Sequence, residues 1–296
     1  MTSPFASAAE LGRKFTANCE YAMYSVALGK VDRGTLHEID AYWGNETCSI
    51  FFLGRQSKIV SMYGLDTGVL FRNWTIVLVD DSEEVLGKVK ILKFSPHVFL
   101  SSKVRYAIFI DAKLQIQQHP LSIIRTHAEQ HEDVVLVSVR HPASRSLFDE
   151  FGAIARVRRI NPQSTITDSF TLLQQQVQTY NHSSLMRQPH AHVSIDSGCL
   201  VHKVHESLAI NLRCAWLQQI QRFSDRDQVS FPFVVAAASL GNELVRGQQH
   251  NTFLRLNNPG VNDTESGGRV NFLDASTYCW HNVQTRLARE LPRSHG

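Results

Sequence analysis

Short runs of β-branched and aromatic residues recur along the chain at residues 21–28, 49–53, 74–79, 106–111, 134–139 and 193–201, and each has the length and composition of a strand. Most are apolar at nearly every position. That pattern suits strands covered on both faces, the habit of a mostly parallel sheet between helices. Between the runs, residues 83–93 have helical character, and Pro120 is suited to the first turn of a helix reaching about residue 130. Ile166, Phe170, Leu173 and Val177 follow helical spacing, as do Leu212, Trp216 and Ile220. The pattern predicts an α/β fold in a single domain over residues 18–248, preceded by an N-terminal segment, 1–17. Asn257 to Gly260 and Ser266 to Gly268 mark the remainder, 249–296, as a partly disordered extension.

Composition narrows the function classes. With 43% hydrophobic and 19% charged residues, the 296-residue chain is globular. Its formal charge of +3 gives no general field to gather nucleic acid, so any anion site is local. No apolar run approaches the roughly 20 residues of a membrane span. Met1 to Lys14 has no uninterrupted apolar stretch and carries Glu10, which does not read as a signal peptide. Five widely spaced cysteines, with no Cys-x-x-Cys, predict mostly buried thiols rather than a zinc framework or dense disulfide scaffold. Asn-x-Ser/Thr sequons begin at Asn45, Asn73, Asn181 and Asn262 and permit glycosylation in a secretory lumen.

Parallel α/β sheets bind ligands beyond the carboxyl ends of their strands, so the residues following strands are the first candidates. Gly29 to Arg33 follows the first run, with a glycine for close backbone approach and charge at Lys30 and Asp32. Asp111-Ala112-Lys113 follows the central run. A carboxylate there suits a divalent cation carrying a diphosphate, and an ammonium suits the phosphate itself; an ion pair closing the strand is the plainer alternative. Lys88, Lys90 and Lys93, leading into His97, read either as a solvated helix face or as an anion-facing stretch. Arg140 and His141 follow another strand, and Arg140 could grip phosphate or carboxylate bidentately. The histidines at 190, 192, 202 and 205 lack zinc-site spacing. In the segment from Phe223 to Phe231, Ser224 and Asp227 match a helix capping box. The same segment offers Asp225 or Asp227 as a general base, or as a sugar-hydroxyl ligand with Gln228.

Four blocks, in order, resemble a glycosyltransferase-like family, formerly a domain of unknown function, that includes plant mucilage hexosyltransferase-type and turgor-regulation-defect proteins. They are Val26 to Gly29 with Asp32; Lys93 and Pro96-His97 running to Tyr106 through Lys113; Ser138 with His141; and His205 through Trp216 to Phe231. The resemblance spans about residues 21–235. It implies a GT-A-like, Rossmann-like fold and transfer of a hexose from a nucleotide sugar to a glycan or lipid-linked acceptor in a Golgi setting. A nucleotide-sugar-binding pseudoenzyme and a ceramidase-type amide hydrolase are the alternatives.

On that resemblance, Gly29, Asp32, Lys93, His97, Asp111 and Lys113 would meet the nucleotide sugar. Arg140, His141, Arg226 and Gln228 would meet the acceptor or its sugar. Asp227, then Asp225, would serve as base, and Asp111 with His205 would hold Mn²⁺ or Mg²⁺. Lys113 stands, as in relatives of the family, where many GT-A enzymes have a second aspartate, which puts metal dependence in doubt. The chain departs from the family pattern at Gly54, Val204 and Gln219, where the resemblance implies acids.

Overall fold

The structure is a computed structural model that describes residues 4–29, 47–81, 85–112, 114, 119–130, 134–140, 146–160, 170–187, 195–239 and 270–274. Its centre is β1 (Tyr21–Ala27), in which every residue is buried. A strand buried at every position needs a strand on each side and a helix layer on each face, and both are present. β1 pairs in parallel with β2 (Thr47–Gly54), in register from Tyr21↔Thr47 to Ala27↔Leu53, and with β5 (Tyr106–Ile110), from Tyr21↔Tyr106. β2 pairs in parallel with β4 (Trp74–Val79). Beyond β5 the direction changes. β7 (Ile195–Lys203) runs antiparallel between β5 and β6 (Val134–Arg140), with Tyr106 opposite Lys203 and Ile110 opposite Cys199. Two antiparallel edge strands, β3 (Leu70–Phe71) and β8 (Val270–Asp274), complete the order β3-β4-β2-β1-β5-β7-β6-β8. β1, β2, β4, β5 and β6 therefore point the same way, which makes this the mostly parallel sheet that the pattern predicts, with β3, β7 and β8 reversed.

Alternation along the strands sends side chains to two cores. Tyr24, Phe52, Val77 and Phe109 face the larger layer: α1 (Pro4–Phe15), α3 (Val85–Phe94), α4 (Pro96–Phe99), α6 (Leu147–Ile160), α7 (Phe170–Asn181), α8 (Ser207–Arg222) and α9 (Asp227–Ser239). Met23, Phe51, Ile76 and Ile108 face the smaller layer, which holds α2 (Lys58–Tyr63), α5 (Pro120–Ile124) and the π turn Arg125–Glu129 continuing it. α1, which lies in the segment set apart from the domain on sequence, is packed into the core through Ala8 and Ala9. Its Gly12 meets α4 so closely that a Cβ would lie 2.5 Å from the Phe99 carbonyl oxygen. No helix among the described residues is long and apolar enough to cross a membrane.

The cysteines depart from expectation. The register that sets Tyr21 beside Thr47 brings the chain entering β1 next to the start of β2, and Cys19 and Cys48 are joined there as a disulfide, Cα atoms 5.9 Å apart. Cys199 and Cys214 are thiols, and Cys279 lies outside the described residues.

The β3–β4 connection is a two-residue turn, Arg72-Asn73, with φ of 51° and 65°. Left-handed geometry at both positions matches the strand twist, but only asparagine of the pair accepts it readily. Arg72→Asn should therefore raise stability by about 1 kcal/mol, read as a higher urea midpoint with unchanged slope.

Candidate functional site

The carboxyl ends of β1, β2, β4 and β5 open on one edge of the sheet, and a single buried carboxylate organises three of them. Asp81, 3% exposed and just past β4, accepts the Gly29 amide at 2.7 Å through Oδ2 and the Gln56 amide at 3.2 Å through Oδ1. The Arg55 amide donates to the Val79 carbonyl at 2.9 Å beside it. Gly54 is glycine for this reason: a Cβ there would sit 2.0 Å from Asp81 Oδ2. The acid that the resemblance implies at position 54 has no room here. Gly29, with φ of 84°, gives its amide to Asp81 rather than keeping it for a phosphate. Asp81 was legible as an Asp80-Asp81 pair directly after a strand, the same signal that singles out Asp111, and sequence reasoning passed over it.

Asp111 follows β5 at the same edge, partly exposed. Its amide donates to the Gly198 carbonyl at 2.7 Å and its carbonyl accepts from Leu114 at 2.8 Å, so the turn is held from both sides. Arg140, the last residue of β6, pairs with Ile195 along this edge. Asp32, Lys113 and His141 lie outside the described residues.

Flanking the mouth, α3 turns its lysines inward rather than presenting a solvated face. Lys88 Nζ donates to the Asp80 carbonyl at 3.0 Å. Lys90 and Lys93 both reach Asp227 Oδ2, at 3.1 and 2.5 Å. Burial alone would raise the Asp227 pKa, but the two ammonium groups outweigh it and hold the carboxyl well below the usual carboxylate range. Lys93 is itself lowered by burial against the opposing pull of Asp227, and it also feels the charge of Asp111, which ties the two carboxylates into one electrostatic neighbourhood. Its ammonium lies 5.1 Å from the Phe109 ring centre and 5.2 Å from that of Phe94. Lys93 is thus a buried partner of Asp227 before it is anything else.

The turn before α9 is fixed by a buried polar chain. Ser224 donates to Gln176 Oε1 (2.6 Å), Gln176 Nε2 to the Tyr180 hydroxyl (3.0 Å), and that hydroxyl to Gln219 Oε1 (3.0 Å). Trp216 Nε1 donates to the Asp227 carbonyl at 2.8 Å. The capping-box reading fails here, because Ser224 serves α7 and Asp227 serves the α3 lysines. Asp225, Arg226 and Gln228 are partly exposed around this turn.

His97 and His205 are not brought to the mouth. Because β7 is antiparallel to β5, its carboxyl end lies at the amino end of β5, which separates His205 from Asp111 by roughly 20 Å of strand length. The two cannot share a metal. His205 Nε2 instead lies 2.9 Å from the Ser101 carbonyl oxygen. There it shares a basic group with His97, His202 and Arg213. Arg213, 1% exposed, donates to the carbonyls of Lys203 and Val204 at 2.8 Å each. With valine at 204, where relatives have an acid, its charge is met by carbonyl dipoles, and burial pushes its pKa down to about 10. Among the described residues no group of three or more His, Cys, Asp or Glu side chains could hold a metal ion.

Two expectations follow. Asp227→Asn leaves Lys93 buried without its counter-ion and should cost about 3–5 kcal/mol, most of it recovered when Lys93→Met is added; a double-mutant cycle in urea measures the coupling. His97 is pushed to about 4, mainly by burial and then by Arg213, and His202 well below its ordinary 6.5, again mainly by burial. The unfolded chain thus binds more protons below about pH 6.5. Stability should be full above that pH and fall as pH drops toward 4, with a shallower slope in His202→Phe.

Residues 10–251 match the TOD1/MUCI70 glycosyltransferase-like domain family. A probable hexosyltransferase MUCI70 from Arabidopsis thaliana is 24% identical over 204 residues, covering 66% of this chain and 33% of that protein, so the chain spans about a third of the length of this relative. Among solved structures, apo mouse xyloside xylosyltransferase 1 superposes with a TM-score of 0.41 at 14% identity, over 72% of this chain and 81% of that one. The apo WbbM bifunctional glycosyltransferase superposes with a TM-score of 0.45 at 7% identity, over 73% and 37%. With the match to the family running through the whole of the sheet from β1 to β7, the chain belongs to the TOD1/MUCI70 glycosyltransferase-like domain family.

Proposed function

We propose that the chain is a glycosyltransferase whose strand mouth binds a nucleotide-linked hexose and passes the sugar to a hydroxyl of a glycan or glycolipid. The observation that carries this reading is the joining, on one sheet edge, of the Asp81-organised strand ends, Asp111, and the Lys90–Asp227–Lys93 group beside the acceptor-side turn. Lys90, which keeps some exposure, faces the donor's diphosphate. Asp227 holds the two lysines in place; a carboxylate so strongly stabilised as its anion is a weak proton acceptor. The base is then Asp225, on the same turn and partly exposed. The acceptor oxygen bonds to the anomeric carbon, the bond from that carbon to the diphosphate oxygen breaks, and the hydroxyl proton passes to Asp225 as the nucleoside diphosphate leaves. Arg226 and Gln228, partly exposed beside it, orient acceptor hydroxyls.

The steps above use this chain's own side chains, and dependence on Mn²⁺ or Mg²⁺ is a readout of the test. The test is a panel of uridine and guanosine diphosphate sugars, with and without Mn²⁺, on the wild type and single variants. Asp225→Asn should lower turnover about 10²–10⁴-fold with nucleotide affinity kept, while Lys90→Met should weaken nucleotide binding. Nucleotide binding with no transfer from any donor would make the chain a binding module, and absence of nucleotide binding would overturn the reading.

A further inference from the structure

Two features far from the strand mouth point to the same chemistry. The first is the bond between Cys19, 5% exposed, and Cys48, which staples the entry of β1 to the start of β2. A bond of this kind persists in oxidising compartments and is rare where glutathione keeps thiols reduced. The second is the turn Arg72-Asn73. Trp74 next to it is 4% exposed, with its ring edge-on to Phe51 at 5.4 Å, so the chain at this point turns its aromatic residue into the smaller core. Asn73 itself is exposed at the apex of the hairpin, and Thr75 completes the sequon in β4.

We infer that this chain matures in a secretory-type lumen, where Cys19 and Cys48 are oxidised and Asn73 receives an N-linked glycan. The asparagine side-chain nitrogen bonds to the first sugar of a lipid-diphosphate-linked oligosaccharide, the lipid diphosphate leaves, and the amide loses a proton. The two thiols give two electrons and two protons to a disulfide-donating oxidoreductase. A glycan on this apex leaves from the edge hairpin of the sheet, whose outer strand β3 carries Leu70, 68% exposed. Its sugar rings would cover an apolar edge strand that is otherwise a pairing hazard. The hairpin needs no rearrangement to carry it, since asparagine tolerates the left-handed conformation with or without the modification.

The experiment uses the protein isolated from its own cells. Thiols are alkylated under denaturing conditions, disulfides reduced and alkylated with a second label, and the peptides treated with a peptide-N-glycosidase in heavy-oxygen water. The expected result is second label at Cys19 and Cys48, first label at Cys199 and Cys214, and Asn73 recovered as heavy-oxygen aspartate. Asn73→Asp, which keeps the side-chain shape, and Thr75→Val, which keeps the strand residue branched, should each lower the apparent mass by one glycan. First label at Cys19 and Cys48, or Asn73 recovered wholly as unmodified asparagine, would falsify the inference.

Discussion

Placing one carboxylate between two ammonium groups inside the larger core ties together parts of the chain that are distant in sequence. Lys90 and Lys93 belong to the helix that follows β4, and Asp227 opens the helix that follows the turn at Ser224–Arg226. None of the three charges is at home so deep unless the others are present, so α3 and α9 are held in one relative position. Around this pair the aromatic residues Phe94, Trp216 and Phe231 pack with ring centres 4.4 and 4.7 Å apart, and the Trp216 indole closes on the Asp227 carbonyl. The ion pair is therefore less a source of net stability than a means of selecting one arrangement of helices over others that would bury the same apolar area. The mouth inherits its shape from that selection.

A different kind of constraint acts on the sheet. Four strands run in parallel from β4 to β5, and then β7 reverses. The reversal divides the polar residues into two populations. Those after β1, β2, β4 and β5 meet at one edge with Asp81 and Asp111. Those after β7 meet at the other, where Arg213 and three histidines are gathered with little opposing charge. The first population is suited to a ligand, whereas the second, with His202 sealed from solvent, reads as a part of the fold that is sensitive to acid.

The main strands were legible because burial on both faces writes itself into the sequence as unbroken apolar runs, and α3, α5, α7 and α8 were legible from spacing and start signals, whereas α1 and α6 were not read. The direction of β7 was not. Periodicity is blind to whether a strand runs up or down, and the resemblance that joined His205 to Asp111 carries no strand direction either. Ser224 and Asp227 have the separation of a capping box, yet the partners that claim them, Gln176 and Lys93, are 48 and 134 residues away and leave no local trace. Lys90 and Lys93 looked like surface residues for the same reason. Asp111 was legible at the carboxyl end of β5 because its signal, charge directly after a strand, is local.

Asp81 spends both of its oxygens on main-chain amides, one from each of two neighbouring strand ends. It recognises backbone, which every residue type other than proline supplies. Apart from Gly54, where a Cβ would strike Asp81, and Gly29 with its positive φ, side chains around the mouth are consequently free to vary in evolution, or in a designed library, without loosening the frame that presents them. A scaffold held in this way can change what it accepts faster than it changes shape.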